Sequence, residues 1–437
     1  MSISVVTIVG RPNVGKSTLF NRIIGRRQAI VDDKPGVTRD RNFAEADWCG
    51  HEFLLVDTGG YMPKSQDVIV NAVKEQVEIA IVESDVIVLL VDAKTGITTI
   101  EDELARILKG ANRDVILVVN KVDSVKDELE VGQFYKLGLG EPIPLSAMIG
   151  RRTGDFLDKV IEKLAKQPII DKEDDAIRLA VIGKENVGKS SFVNTILKKD
   201  RQIVTEIPGT TRDSIDASFR YQKANYIIID TAGLKKRSKI KENILFYSNL
   251  RTYRSIKRCD VVLYIVDAEK GLTKQDIQIL LESAKERKGI VCVFNKWDLV
   301  EKDHRTMDSI KKDILEKFGE LRFIPVIFTS VKDKQRLYKT LDLATQIYKE
   351  RRKRIATSVL NDYFGPVLSK TTPPAVRGKE IKIKYITQVK TNPPVFVFYS
   401  NHANLISENY KRFIENRLRD KFGFVGVPLT LSFRDKR

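Results

Sequence analysis

The sequence predicts an α/β chain: two tandem doubly wound domains followed by a small α+β unit. Three observations carry this reading. Four ordered motifs repeat; buried-looking apolar runs alternate with helical segments; and the last fifth of the chain changes in both pattern and charge. Gly10-Arg11-Pro12-Asn13-Val14-Gly15-Lys16-Ser17 returns as Gly183-Lys184-Glu185-Asn186-Val187-Gly188-Lys189-Ser190. Pro35 to Asp40 (Pro-Gly-Val-Thr-Arg-Asp) returns as Pro208 to Asp213 (Pro-Gly-Thr-Thr-Arg-Asp), and Asp57-Thr58-Gly59-Gly60 as Asp230-Thr231-Ala232-Gly233. Asn120-Lys121-Val122-Asp123 returns as Asn295-Lys296-Trp297-Asp298. The first three pairs are shifted by 173 residues and the fourth by 175, a regularity that marks two copies of one domain. With 437 residues and about 150 per domain, room remains for a third unit. The expected boundaries are 1–166 and 177–350 for the two copies, 167–176 for an acidic, Pro-containing linker, and 351–437 for the last unit.

Each element follows from pattern. Val5 to Val9 is a β-branched run that leads into a Gly-rich loop and then into helical spacing from Ser17 to Ile24. Phe53 to Val56, Val86 to Val91 and Val115 to Val119 are continuous apolar runs, as expected of strands covered on both faces of a parallel sheet. Ala72 to Ser84 and Glu101 to Lys109 suit the crossover helices between them. In the second copy the corresponding runs are Leu179 to Ile182, Tyr226 to Ile229, Val261 to Val266 and Ile290 to Phe294. In the last unit, Val359, Leu360, Tyr363, Phe364 and Val367 share a helix face. Ile381 to Val389 alternates as a half-buried strand, Asn392-Pro393-Pro394 turns, and Val395 to Tyr399 is a second strand. Tyr410, Phe413, Ile414, Leu418 and Phe422 mark another helix, and Leu429 to Phe433 closes an α-β-β-α-β order.

Net charge is +18, and residues 351–437 hold 18 Lys or Arg against 6 Asp or Glu, so two thirds of the excess sits there. Such an imbalance calls for an anionic partner: RNA, DNA or an anionic membrane surface. The three cysteines, Cys49, Cys259 and Cys292, are too scattered for a disulfide framework or a zinc site, which fits a reducing cytoplasm. The N-terminus lacks the basic region and cleavage site of a signal peptide, and no run of about 18 uncharged apolar residues could span a bilayer.

The repeated motifs have a chemistry. Gly-x4-Gly-Lys-Ser between a strand and a helix presents backbone N–H groups and a helix N-terminus to phosphate. Gly10, Gly15, Gly183 and Gly188 permit close approach, Lys16 and Lys189 reach the β- and γ-phosphates, and Ser17 and Ser190 can ligate Mg²⁺. This loop alone does not choose between ATP and GTP. Asp123 and Asp298 do: each carboxylate can accept from guanine N1–H and the 2-amino group, donors that adenine lacks. Asp57 and Asp230, each at a strand end, can hold Mg²⁺, and Gly60 and Gly233 leave room for a γ-phosphate. Thr38 and Thr211 lie 22 residues beyond the loop lysines, where a hydroxyl can close onto Mg²⁺ while triphosphate is bound. Plain turn threonines are the alternative.

This order of motifs resembles the Era-like branch of the translation-factor GTPases. Two tandem copies with a small basic domain behind them resemble the bacterial double-Era-like GTPases, the Der or EngA family, over essentially the whole chain. The resemblance implies two P-loop GTPase domains and a KH-like C-terminal domain. It implies hydrolysis of GTP to GDP and phosphate, and a nucleotide-dependent role in ribosome biogenesis, late in assembly of the 50S subunit, with rRNA as partner. The residue after Asp-x-x-Gly is Tyr61 in one copy and Leu234 in the other, and neither can orient water as the glutamine of many GTPases does. In relatives with a hydrophobic residue there, a loop asparagine helps bind K⁺; Asn13 and Asn186 stand at the matching positions. The fifth motif reads as Ser146-Ala147 in the first copy and Thr329-Ser330 in the second, with Ser in place of Ala. Leu234 to Lys241 forms a basic run after the second Asp-x-x-Gly, either a solvated loop or an RNA-facing switch. No Gly-x-x-Gly loop is present in the last unit, so backbone clamping of the usual KH kind is not expected. A GTP-gated RNA-binding scaffold with incidental hydrolysis stays open as the alternative, while a membrane-surface role has only the basic tail in its favour. The chain is expected to be cytoplasmic and monomeric.

Overall fold

The computed structural model describes residues 3–30, 43–58, 66–111, 113–165, 176–199, 216–222, 224–231, 244–300, 312–314, 316–376 and 378–435. Thr38, Thr211, Gly59 to Tyr61, Ala232 to Lys241 and nearly all of the expected linker lie outside them. The chain divides into two compact units. Residues 1–172 and 239–254 form the first, and residues 173–238 and 255–437 the second.

In the first unit a six-stranded sheet has the order β2-β3-β1-β4-β5-β6. Its strands are β1 (Ser4–Val9), β2 (Phe43–Trp48), β3 (His51–Asp57), β4 (Val86–Asp92), β5 (Asp114–Asn120) and β6 (Ile143–Pro144). β1 pairs in parallel with β3 and β4, β4 with β5, and β5 with β6; only β2 runs antiparallel, against β3. Every residue of β4 is buried, because helices cover both faces as the apolar run required. On one face, α1 (Lys16–Ile30) and α4 (Thr153–Ala165) bring Phe20, Ile23, Phe156 and Val160 against Val6, Ile8 and Val88. On the other, α2 (Gln66–Glu83) and α3 (Thr99–Gly110) bring Val77, Leu104 and Leu108 against Ile87, Leu89 and Leu117.

The second unit repeats this plan as β12-β11-β10-β7-β9-β8. Its strands are β7 (Ile177–Ile182), β8 (Ala217–Tyr221), β9 (Ala224–Ile229), β10 (Val261–Asp267), β11 (Gly289–Asn295) and β12 (Val326–Phe328). Its helices are α5 (Lys189–Lys199), α7 (Lys274–Lys285) and α8 (Leu337–Arg352), while α6 (Ile244–Arg258) belongs to the first unit as far as residue 254. The C-terminal part follows the expected order: α9 (Thr357–Lys370), β13 (Ile383–Lys390), β14 (Val395–Ser400), α10 (Glu408–Phe422) and β15 (Thr430–Asp435). β14 lies between an antiparallel β13 and a parallel β15.

This part is not a separate body. One continuous core takes Leu337, Leu341 and Ile347 of α8 together with Leu360, Phe364, Phe396, Phe398, Ile414, Leu418, Phe424 and Val427. The amide of Ile290, at the start of β11, donates to the Gly426 carbonyl at 2.8 Å. A Cβ on Gly426 would overlap the Ile347 side chain, so only glycine permits this approach. The Arg351 guanidinium, also buried, donates to the Asp260 carbonyl at 2.8 Å from the end of α8.

Cys259 and Cys292 are buried thiols and Cys49 is exposed; no disulfide forms among them. Among the described residues, no helix is long and apolar enough to cross a membrane.

Candidate functional site

In both copies the first strand stops and the chain turns through a loop whose backbone is nearly superimposable. Gly10 and Gly183 have φ 150°, Asn13 and Asn186 φ 64° and 61°, and Gly15 and Gly188 φ 97°. The last pair sits against an asparagine: a Cβ on Gly15 would overlap Asn120 Nδ2, and one on Gly188 would overlap Asn295 Nδ2. Glycine is therefore needed twice over there, for its positive φ and for the space.

Helix α1 begins at Lys16 directly behind this loop. Lys16 Nζ folds back to donate to the Gly10 and Arg11 carbonyls at 2.8 and 2.9 Å. Burial pushes its ammonium down to about 8, while Asp57 pulls the other way. Lys189 repeats the contact to the Gly183 carbonyl at 2.6 Å, and burial lowers its pKa too. Ser17 Oγ donates to Asp57 Oδ2 at 2.6 Å, which brings together two of the three oxygen ligands expected for Mg²⁺ in this copy. Asp57 ends β3 and is 3% exposed. Thr58 Oγ1 turns inward to donate to the Ile8 carbonyl at 2.9 Å. In the second copy Asp230 follows β9 in a left-handed conformation, φ 57°, and its amide donates to Asp216 at 3.0 Å.

The base-recognition motif lies at the end of β5, beside the phosphate loop in the parallel sheet. Asn120 is buried and bridges two loops: its Nδ2 donates to the Val14 carbonyl at 2.7 Å, and its Oδ1 accepts from the Ala147 amide at 2.9 Å. Asp123 Oδ1 accepts from Ser146 Oγ at 2.7 Å. Its Oδ2 accepts from Lys94 Nζ at 2.9 Å, and these bonds hold the carboxyl below its ordinary pKa. Lys121 adopts φ 66° and donates to Asp92 Oδ2 at 2.7 Å. The second copy matches: Asn295 Nδ2 to the Val187 carbonyl at 2.9 Å, Lys296 Nζ to Asp267 at 2.7 Å, and Ser330 Oγ to Asp298 at 2.7 Å.

One expected register is wrong. Ser330, not Thr329, makes the contact that Ser146 makes, and the Val331 amide donates to Asn295 Oδ1 at 3.3 Å in the role of Ala147. The fifth motif of the second copy is thus Ser330-Val331. Thr329 stays close, its hydroxyl 3.4 Å from Asn295 Oδ1. In a run of similar small polar residues, only the point where β12 ends distinguishes the two frames.

Asp92 and Asp267, at the ends of β4 and β10, were not singled out from the sequence. Burial pushes the Asp92 carboxyl up, but hydrogen bonds from Lys121, the Lys94 amide and Thr95 outweigh it and leave it below the ordinary value. The repeat carried the signal, since Val91-Asp92-Ala93 recurs as Val266-Asp267-Ala268.

Residues 5–121 and 178–296 each match a family described as 50S ribosome-binding GTPase, and residues 354–434 match the KH-domain-like C-terminal family of EngA bacterial GTPase enzymes. The chain is 48% identical to the GTPase Der of Chloroherpeton thalassium, over 99% of each chain. It is 47% identical to that of Caldanaerobacter subterraneus, over 100% of this chain and 99% of the relative. Among solved structures it is similar to Era of Aquifex aeolicus, at 21% identity and a TM-score of 0.32, over 60% of this chain and 94% of that one. Two GTPase domains, a KH-like domain and full-length identity near one half place the chain: it belongs to the Der family of GTPases, enzymes that hydrolyse GTP.

Proposed function

We propose that this GTPase is a nucleotide-dependent switch in late assembly of the 50S subunit, using both sites and binding rRNA through its basic C-terminal part. The observation that carries the reading is the duplicated constellation: in each copy a buried asparagine ties the phosphate loop to the base-recognition loops. It is coupled in one chain to a KH-like part with a net charge of +12. Membership of both copies in the family of 50S ribosome-binding GTPases supports the choice of subunit.

In each site the loop amides and the helix N-terminus receive the β-phosphate, and Lys16 or Lys189 leaves its loop carbonyls to meet the β- and γ-oxygens. Asp123 and Asp298 accept from guanine, and Ser146 and Ser330 fix the orientation of those carboxylates. The oxygen donors Ser17 and Asp57 suit a hard cation, and with Thr38 they would hold Mg²⁺, whose charge offsets that developing on the phosphate oxygens. Ser190, Asp230 and Thr211 are their counterparts. Asn13 and Asn186, exposed on the loops, would hold K⁺, which supplies positive charge where Tyr61 and Leu234 offer no water-orienting group. The function is cytoplasmic, and the protein acts as a monomer.

The test is sedimentation with purified ribosomal subunits in GDP or a non-hydrolysable GTP analogue, at rising salt. The expected result is binding to the large subunit that depends on nucleotide and falls steeply with salt, as counterion release requires. Equal binding in both nucleotides, or none to the large subunit, would refute it.

A further inference from the structure

The second residue of each phosphate loop is a cation, Arg11 or Lys184, and in both copies it reaches the same place by different chemistry. Arg11 Nε lies 2.7 Å from Glu101 Oε1, and Glu101 is 1% exposed. Lys184 Nζ donates to Thr273 Oγ1, the cap of the same helix, and lies 3.5 Å from Asp276 Oδ2, with Asp276 3% exposed. Glu101 and Asp276 hold the same position, the third residue of α3 and of α7, where each closes a capping box with Thr98 or Thr273. The carboxylate oxygens divide their work. Glu101 Oε2 accepts from the Thr98 amide at 3.0 Å, which leaves Oε1 for Arg11. Asp276 Oδ2 accepts from the Thr273 amide at 2.8 Å and faces Lys184, while Oδ1 accepts from Tyr264 at 2.8 Å. The first copy has Leu89 at the position of Tyr264, together with the longer acid and the longer base. A shorter pair with a tyrosine brace replaces a longer pair without one.

What this pair holds is the loop. The Arg11 carbonyl is one of the two acceptors of Lys16 Nζ, and its side chain is pinned to a buried acid on a helix. Arg11 Nη2 also lies 3.6 Å from Asp92, which takes Lys121 of the base-recognition loop at 2.7 Å. A chain of alternating charge, Glu101–Arg11–Asp92–Lys121, therefore joins the phosphate loop, the start of α3 and the guanine loop. A glycine-rich loop has high conformational freedom, and fixing it before the ligand arrives removes an ordering cost from binding.

We propose that Arg11 and Lys184 are positioning residues for nucleotide binding: through Glu101 and Asp276 they hold each phosphate loop in its binding conformation. The inference rests on the reading of these loops as the phosphate sites.

The test is a double-mutant cycle in the full chain, with Arg11→Gln, Glu101→Gln and the two combined. GDP binding is read by calorimetric titration that resolves both sites, and melting temperature is followed in parallel. Glutamine at 101 keeps the capping box, so α3 is not the variable. Each single change is expected to weaken one of the two sites by about tenfold, and the combined variant by no more than either alone, since contacting residues are strongly non-additive. Without nucleotide, the single variants should melt a few degrees below the parent, since each leaves a buried charge unpaired, and the double variant closer to it; the affinity loss read well below the melt is the deciding measurement. Asp276→Asn should weaken the other site. Additive losses, or unchanged affinity in the single variants, overturn the proposal while leaving the loops as phosphate sites. A lower melting temperature with unchanged affinity assigns the pair to stability alone and also overturns it. Absence of GDP binding at either site in the parent overturns the proposal together with the reading beneath it.

Discussion

Replacing Asn120 by alanine removes both bonds by which one side chain bridges the Val14 carbonyl, 2.7 Å away, and the Ala147 amide, 2.9 Å away. Both partners belong to buried residues, and a buried group left unpaired costs about 1–3 kcal/mol, so about 2–6 kcal/mol is at stake. Part is recovered, because the vacated space beside Gly15 admits water; about 2–4 kcal/mol is a reasonable net. The two loops so joined are those that meet phosphate and base, so the cost should fall mainly on ligand binding. At about 1.4 kcal/mol per tenfold, GDP affinity at the first site should drop by roughly 30- to 1,000-fold. In the second copy the matching acceptor contacts are longer, 3.3 Å from the Val331 amide and 3.4 Å from Thr329, so Asn295→Ala should cost its own site less. Calorimetric titration with GDP measures both, with thermal melts of the empty protein as control. Affinity within about threefold of the parent in Asn120→Ala, or a larger loss in Asn295→Ala, would refute the bridging argument.

Two further outcomes are expected. Lys16 has a pKa of about 8 in the empty site, and phosphate must raise it; binding above pH 8 therefore takes up a proton. Between about pH 7 and 9, GDP affinity at the first site should fall as pH rises through 8, and Lys16→Ala should remove that decline; pH-independent binding by the parent across this range would contradict this. GTP hydrolysis should run faster in KCl than in NaCl at equal ionic strength, and Asn13→Ala with Asn186→Ala should abolish the difference; equal rates in the parent would remove K⁺ from the account.

The parallel core was legible because strands covered on both faces leave little choice of residue: Val86 to Val91 and Val261 to Val266 are apolar throughout. Edge strands β2 and β8 were not read. Phe43-Ala-Glu-Ala-Asp-Trp mixes charge with burial, as an edge allows, and its hairpin signal is confined to Cys49 and Gly50, with φ 51° and 81°. The phosphate and base motifs were visible because their demands fall on single residue types, glycine at positive φ and asparagine between two loops. The acids that support them, Asp92, Glu101, Asp267 and Asp276, were missed. A carboxylate at a strand end or in a first helical turn reads equally well as a solvated cap, and only burial at 1% to 5% separates the two. The core common to the second GTPase domain and the KH-like part left no local trace, since Ile347 and Gly426 are 79 residues apart.

That common core changes what the C-terminal part can be. Its boundary near residue 350 is visible in composition but not in packing: α8 belongs as much to the KH-like part as to the nucleotide fold. Protein cut there would lose the Ile290–Gly426 bond and bare Ile347, so truncation confounds loss of the basic surface with damage to a GTPase domain. It also sets the grain of any movement. The basic surface travels with the second GTPase domain as one piece, so a tilt of that domain re-aims the positive charge without any hinge between them.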